Sequence, residues 1–497
     1  MIPNTQSLAK PIFIVLIVFA IFWHFWSLTY SPLPWFDETF FASITHSLIT
    51  GKGLHLAVCP IQTNGDPVLI YGPVYFILTG LITKTLGFSL YSFRLANLLG
   101  AIISVFLFHK ISNKQGWKKT TMILMTILLT FDVIFVQNAH SGRMDLAALA
   151  FLLGSIYLYF SDKTSISRQV FIAILGTLAV LTTLRIAVLV LPFFVLVFFI
   201  NIKNKQYWQA AALLFTSILL YASWIGVGFG SLSGFIAEYT QSQSDSYTGQ
   251  TLASSFLGGN FAIQPYQYPM VVAGLLAVII QIKHNYKNPT FWLISIPILC
   301  FYLLVNDTGA YSALVVPFWY LLIGFAFEKL STNSNNSLTR LISLCVIILL
   351  LLVNGGVFLL KSATILTTIP QRSNKQLTTW VSERLPAQSR VVGDDRYYYA
   401  VIESNSDFQY ISRTQSDEER AKFHKETYQP DYLFISSQTP PELIEAYKKH
   451  LRFEESYSYI PQTQESFLTR IIQRLPMQIQ TSMAGNLIKV ESKADEN

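Results

Sequence analysis

Charge is what this sequence has least of. Asp, Glu, Lys and Arg make up 13% of its 497 residues, against about 25% in a soluble globular chain. That scarcity excludes a soluble fold. A hydrophobic content of 52% and a mean hydropathy of +0.42 point instead to a membrane protein with many spans. Cysteine is almost missing. Cys59, Cys300 and Cys345 lie far apart and form no CxxC, so no zinc site and no disulfide framework is read. No Walker A loop, Rossmann glycine pattern or HExxH occurs, so nucleotide-dependent and zincin chemistry have no support. No small-residue cleavage site follows the first apolar run. Pro11 to Thr29 therefore reads as a retained span, not a signal peptide. Internal repeats and low-complexity segments are also absent. The net charge of +7 does not imply nucleic acid, because excess Lys and Arg in such a chain mark cytoplasmic loops.

What the sequence does have is long apolar runs. They fall near 11–29, 92–109, 119–137, 146–160, 170–184, 186–200, 208–227, 269–282, 291–305, 312–327 and 340–360. A span needs about 20 apolar residues, and several of these runs are at the short end. The loops His109–Lys119, Ser161–Gln169, Asn201–Trp208, Lys283–Thr290 and Glu328–Arg340 are basic, which makes them cytoplasmic. The loops with Asp37, Glu38, Asp66, Asp145, Glu238, Asp245 and Asp307 are acidic or neutral, and these face outward. A cytoplasmic N-terminus and eleven spans put the C-terminus outside. Tyr71 to Phe88 is apolar but carries Lys84. Counting it as a span would invert the basic loop at 109–119, so it is expected to be an interfacial or re-entrant helix within the first outer loop, 30–91.

The composition shifts after Leu360. Residues 361–497 hold more than half of all the charges. Strand-like runs at Arg390–Gly393, Phe408–Ile411 and Tyr432–Ile435, with helix-like stretches at Asn374–Arg384 and Pro441–His450, predict a small extracytoplasmic α/β domain over 361–497. Residues 1–360 form the membrane domain.

Ionisable groups beside a bilayer are costly to keep. Asp37 and Glu38 stand just past the first span. They suit a general base with a partner that tunes it or binds a metal. Alternatively, Asp37 caps a helix running Thr39 to Ile49 and Glu38 complements its dipole. In the second outer loop, HSGRMD, Arg143 suits a phosphate, and Asp145 suits an acceptor, a donor sugar or a metal. The plainer reading is a membrane-edge salt bridge or a helix cap. Arg185 is the only charge between Val170 and Ile200. At an outer turn it suits a lipid phosphate, or it snorkels to headgroups. Arg94 heads the second span with the same two readings. Acids and cations gathered at one face beside lipid are what transfer from a lipid-linked phosphate donor requires.

At these residues the chain resembles a known family. WFDETFFASITHSLITGKGL resembles the Asp-Glu first loop of the GT-C membrane glycosyltransferases, which include the protein O-mannosyltransferases and the lipid A aminoarabinose transferases. DPVLIYGPVYFILTGLITKTLGFSLYSFRLANLLGA is similar to that family's His-Pro-Pro-Leu segment and the Gly…Arg-Leu pattern after it. GRMDLAALAF resembles its second acidic motif, and LTTLRIAVLVLP its Thr-Lys-Gly…Pro segment. The similarity covers roughly Trp35 to Pro192. Tyr71-Gly72-Pro73 stands where the family has His-Pro-Pro. Arg185 stands where Lys is common, and in NDTGAYSALVVP Ala310 stands where Arg often precedes Tyr311.

The resemblance implies a GT-C-like polytopic α-helical fold with an outer active site and a polyprenyl-phosphate-linked sugar donor. It implies Asp37 as catalytic base with Asp145 in support, and inversion at the anomeric carbon. Glu38 completes the acidic set. Arg143, Arg185, Arg94, His140, Tyr71 and Tyr311 are the substrate-binding candidates. The expected protein is a multi-pass plasma (inner) membrane hexosyl- or pentosyltransferase acting on a lipid, glycan or protein acceptor. A divalent cation is compatible with the paired acids and not required. The competing reading is a transporter or flippase of a lipid-linked sugar, which would place its charges at mid-membrane depth and often show internal repeats.

Overall fold

A computed structural model describes residues 5–59, 66–161, 165–246, 267–285, 287–305, 311–333, 337–411, 417–437, 439–461 and 482–490. Lys163, Asp307, Ala310 and Ser334 to Asn336 lie outside the described residues.

Each apolar run lies in helix. The helices are Thr5–Ser27, Leu90–Lys114, Lys119–Thr130 with Val133–Ala139, Asp145–Tyr159, Ile166–Thr182, Ala187–Lys203, Tyr207–Phe229, Tyr268–Asn285, Pro289–Leu304, Val316–Asn333 and Ser337–Thr367. Two differ from the sequence reading. The 119–137 run is broken, and its halves meet at 56°. Asp132 causes the break. Its carboxylate accepts from the backbone N–H groups of Ile134 and Phe135, each at 3.0 Å, and so starts a new helix. The last run continues past Leu360 to Thr367. Among the described residues four helices are long and apolar enough to cross a bilayer, or five if the bent pair is one span. The eleven expected spans exceed this because runs such as Asp145–Tyr159 and Ile166–Thr182 are shorter than one bilayer crossing.

Val74–Leu86 packs against Phe36–Ile49, with the hydroxyls of Thr45 and Thr79 2.9 Å apart. Its 13 residues make a helix about 20 Å long, against a hydrocarbon core of about 30 Å.

The C-terminal part is a five-stranded mixed sheet in the order β2-β1-β3-β5-β4. Its strands are β1 Arg390–Gly393, β2 Asp407–Tyr410, β3 Tyr432–Ser436, β4 Phe453–Tyr459 and β5 Gly485–Val490. β1 pairs with β2 and β3 in parallel, and β5 runs antiparallel to β3 and β4. The first three strands match the sequence reading. Side chains alternate across the sheet as period two requires. Val392, Leu433 and Ile435 pack with Leu443, Ala446 and Tyr447 of the Pro441–His450 helix. Val391, Phe408 and Phe434 share one core with Phe40, Ile44 and Tyr75 of the 30–91 segment. The sheet and the acidic loop are therefore built on a common apolar core.

Candidate active site

Trp35, in extended conformation, precedes the helix Phe36–Ile49 and offers no side-chain cap. The expected cap at Asp37 is thus corrected. Asp37 and Glu38 are the second and third helical residues, where an acid complements the dipole. Neighbouring positions on a helix point about 100° apart, so the two carboxylates go different ways.

Glu38 goes inward. Its two oxygens take Nε and Nη2 of Arg94 at 2.6 and 2.7 Å, and neither side chain has exposed surface. The Gly142 N–H adds a third bond to Glu38 at 2.9 Å, and Arg94 Nη1 donates to the Leu28 carbonyl at 2.8 Å. Arg94 is thus occupied and sealed off. A phosphate could not reach it, which corrects its expected place among the substrate cations.

One turn on from Arg94, Asn97 Oδ1 accepts from Leu146 N–H at 3.1 Å and Ala147 N–H at 3.3 Å. These are N–H groups that the first turn of Asp145–Tyr159 leaves unpaired. Its Nδ2 donates to the carbonyls of Ser141 and Asn138. A Cβ at Gly100, another turn along, would stand 2.7 Å from the Ala147 backbone. Arg94, Asn97 and Gly100 thus lie on one face of Leu90–Lys114 and grip residues 138–147.

That grip aims Arg143. Its Nη1 lies 2.7 Å from Asp37 Oδ2, and its Nε lies 2.7 Å from Asp145 Oδ2. Asp145 is the first residue of its helix and follows the cap residue Met144. The Arg143 side chain is 4% exposed and that of Asp145 1%, whereas Asp37 is 31% exposed. Burial pulls the Arg143 pKa down, but Asp145, Tyr311 and Asp37 outweigh it and hold the guanidinium well above its ordinary value. The guanidinium also lies 4.5 Å from the Tyr311 ring and 5.4 Å from the Trp35 ring.

Arg185 reaches the same Tyr311 ring, at 4.1 Å, from the short turn Leu184–Ile186. Among the described residues it makes no ion pair and no hydrogen bond. Tyr71 sits beside it, edge-on to Phe41 at 5.1 Å. Burial outweighs nearby Arg185 and pushes the Tyr71 hydroxyl up to about 12, so it is a neutral donor. Its turn needs Gly72, which has φ +77° and where a Cβ would stand 2.8 Å from the Leu181 carbonyl carbon. Glu238 also holds this turn, accepting from Leu69 and Ile70 N–H at 2.9 and 3.0 Å.

The structure thus brings together Asp37, Asp145, Arg143, Arg185, Tyr71 and Tyr311, with Glu38 and Arg94 behind them. His140 stands apart. It is bonded to His24 at 2.7 Å and lies 3.2 Å from the Ser31 carbonyl. Trp35, Asn97, Gly142 and Glu238 were missed as site residues. Trp35, Asn97 and Gly142 lie inside stretches the sequence singled out and Glu238 in an acidic loop, but nothing there gave them a role in the site. Among the described residues no three His, Cys, Asp or Glu side chains group as metal ligands. Arg143 supplies the positive charge between Asp37 and Asp145.

No protein family and no curated protein matches the chain in sequence. Solved structures do match in fold. ArnT from Cupriavidus metallidurans, an aminoarabinose transferase, aligns in its apo state with a TM-score of 0.62 and 13% identity, covering 97% of this chain and 98% of that one. The same enzyme bound to undecaprenyl phosphate gives 0.62 and 13% over 96% and 97%. The archaeal oligosaccharyltransferase AglB from Archaeoglobus fulgidus, in complex with an inhibitory peptide and a dolichol-phosphate, gives 0.50 and 11% over 86% of this chain and 69% of that one. The fold of this chain is that of the GT-C membrane glycosyltransferases.

Proposed function

We propose that this protein is a membrane glycosyltransferase that moves a hexosyl or pentosyl group from a polyprenyl-phosphate-linked donor to an acceptor hydroxyl. The reaction takes place at the outer face of the plasma (inner) membrane, where the C-terminal domain also lies, and the N-terminus is cytoplasmic. The acceptor is a lipid, glycan or protein. The observation that carries this reading is Asp37. It is the one carboxylate of the cluster with open surface, and it is bonded to a buried guanidinium with a second cation close by. The undecaprenyl phosphate and dolichol-phosphate bound to ArnT and AglB support the donor class.

Asp37 takes the proton of the acceptor hydroxyl as that oxygen attacks the anomeric carbon. The bond from anomeric carbon to phosphate oxygen breaks, and its electron pair leaves with the polyprenyl phosphate. Attack opposite the leaving group inverts the configuration. Arg185, with its donors open, binds the phosphate, and Arg143 and Tyr71 add positive charge and a neutral donor beside it. Asp145 keeps Arg143 aimed, and Glu38 with Arg94 fixes the helix and loop that carry the reacting groups.

The test is to supply membranes containing the protein with a panel of polyprenyl-phosphate sugars. Transfer of label with release of polyprenyl phosphate is the expected result. Lipid-linked sugar that crosses the membrane without being cleaved would favour the transporter reading.

A further inference from the structure

We infer that Tyr410, carried by the C-terminal sheet, is a positioning residue for the helix that bears Asp37. The inference rests on the glycosyltransferase reading for its rate measurements only.

The first turn of any helix leaves four N–H groups without intrahelical partners. Here that turn carries the reacting carboxylate, and its cap residue Trp35 supplies no side-chain bond. Within the helix, the Thr39 N–H ties its beginning to the Trp35 carbonyl at 3.1 Å. Tyr410, 371 residues away in sequence, adds a tie from outside. Its hydroxyl lies 2.7 Å from Thr39 Oγ1 in a buried contact and 3.4 Å from the Phe36 carbonyl. Its ring lies 5.1 Å from the Phe36 ring. Its backbone N–H donates to the Val58 carbonyl at 2.9 Å, which ties the end of β2 to the far part of the same loop. Thr39 Oγ1 in turn reaches the Trp35 and Phe36 carbonyls at 3.3 and 3.2 Å. The phenol hydroxyl thus ties the turn from Phe36 to Thr39 to the sheet, in addition to the Arg94 and Gly142 bonds that hold Glu38 within it.

The arrangement separates positioning from stability. If Tyr410 loses its hydroxyl, Thr39 keeps its backbone bonds and the ring keeps its packing, so no buried group is left unpaired. What goes is one of the ties that place the carboxylate. Displacing a reacting group by about 1 Å can cost on the order of a hundredfold in rate.

The experiment compares Tyr410→Phe, Thr39→Val, the double variant and Thr39→Ser in full-length protein reconstituted in lipid. Each of the first two is expected to lower kcat about tenfold with donor KM unchanged, the mark of an interaction that acts in the transition state. The double variant is expected to be no slower than the worse single. Thr39→Ser, which keeps the hydroxyl, is expected to recover wild-type rate. Thermal midpoints are expected to stay close to wild type. Single variants at wild-type rate would overturn the inference, as would losses that multiply in the double. Amide hydrogen exchange across Asp37 to Phe41 is the second measurement and needs no activity. Tyr410→Phe is expected to speed it, and unchanged exchange overturns the inference. Should wild type transfer from no donor, the functional reading fails and exchange alone decides the role of Tyr410.

Discussion

The Gly142 N–H donates to Glu38 Oε1 over 2.9 Å, so the loop between Ala139 and Asp145 is bonded directly to the carboxylate that Arg94 holds. The two acidic motifs are thereby one unit. Asp37 and Arg143 meet because the residue next to each is fixed to the other's loop.

That contact leaves no room for a side chain. A Cβ on Gly142 would stand 2.8 Å from Glu38 Cγ and press into the Phe93 ring. Gly142→Ala is expected to cost about 1–3 kcal/mol and to lower transfer more than tenfold, since Arg143 moves with the loop. Thermal unfolding and the transfer rate, measured on the same preparation, check it. Wild-type values of both would refute it.

The Glu38–Arg94 pair has no exposed surface, so losing one partner strands a buried charge. Arg94→Met alone is expected to destabilise by about 3–5 kcal/mol. Adding Glu38→Gln removes the stranded charge and is expected to recover a large part of that loss. The midpoint of unfolding in detergent reads this directly. A double variant less stable than Arg94→Met would contradict the scaffold role.

Arg185 has donors open to a ligand. Arg185→Ala is expected to lower kcat/KM for the donor about tenfold to a hundredfold, the range for a charged hydrogen bond worth about 1.5–3 kcal/mol. Arg185→Lys, which keeps the charge, should lose less. Stability should change little in either, because the side chain makes no ion pair among the described residues. Equal losses for Lys and Ala would point to packing on Tyr311 instead of phosphate binding.

The C-terminal domain carries its own pH dependence. His424 is buried, 2.6 Å from the Tyr447 hydroxyl and 3.2 Å from Gln409 Oε1. Burial, with Arg420 adding to it, lowers its pKa from 6.5 to about 3. Between those values the unfolded chain binds the proton and the folded one does not. Stability is therefore complete above about pH 6.5 and falls as pH drops toward 3, by up to about 1.4 kcal/mol per pH unit. Hydrogen exchange of β3 in the full chain at pH 7 and pH 5 measures it. His424→Gln is expected to flatten the difference.

Much of this was legible in the sequence because it is local. Apolar runs became helices, and three short β-rich runs became β1, β2 and β3 at nearly the expected residues. Asp37, Asp145, Arg143 and Arg185 could be grouped by the side of the membrane on which their loops fall. The Arg143–Asp145 salt bridge was one of the two readings of its loop, but the pairing of Glu38 with Arg94 and of Asp37 with Arg143 could not be read. Adjacent Asp37 and Glu38 look equivalent in sequence, and only the turn of the helix sends one outward and one to Arg94. Asn97, Glu238 and Tyr410 act through contacts across 41 to 371 residues, and no spacing rule announces them. The antiparallel pair β4 and β5 was missed because FEESYSY is mostly polar and exposed and GNLIKV is only half apolar, so neither reads as a short apolar run.

The central claim is that Asp37 is the base. The most direct test is the rate of label transfer from a polyprenyl-phosphate sugar by wild type, Asp37→Glu and Asp37→Asn, with expression matched and donor saturating. Asp37→Asn keeps the size and a hydrogen-bond acceptor but cannot take a proton. Its rate is expected to fall by about 10²–10⁴-fold, with Asp37→Glu in between and donor binding retained. Transfer by Asp37→Asn at the wild-type rate would contradict the account.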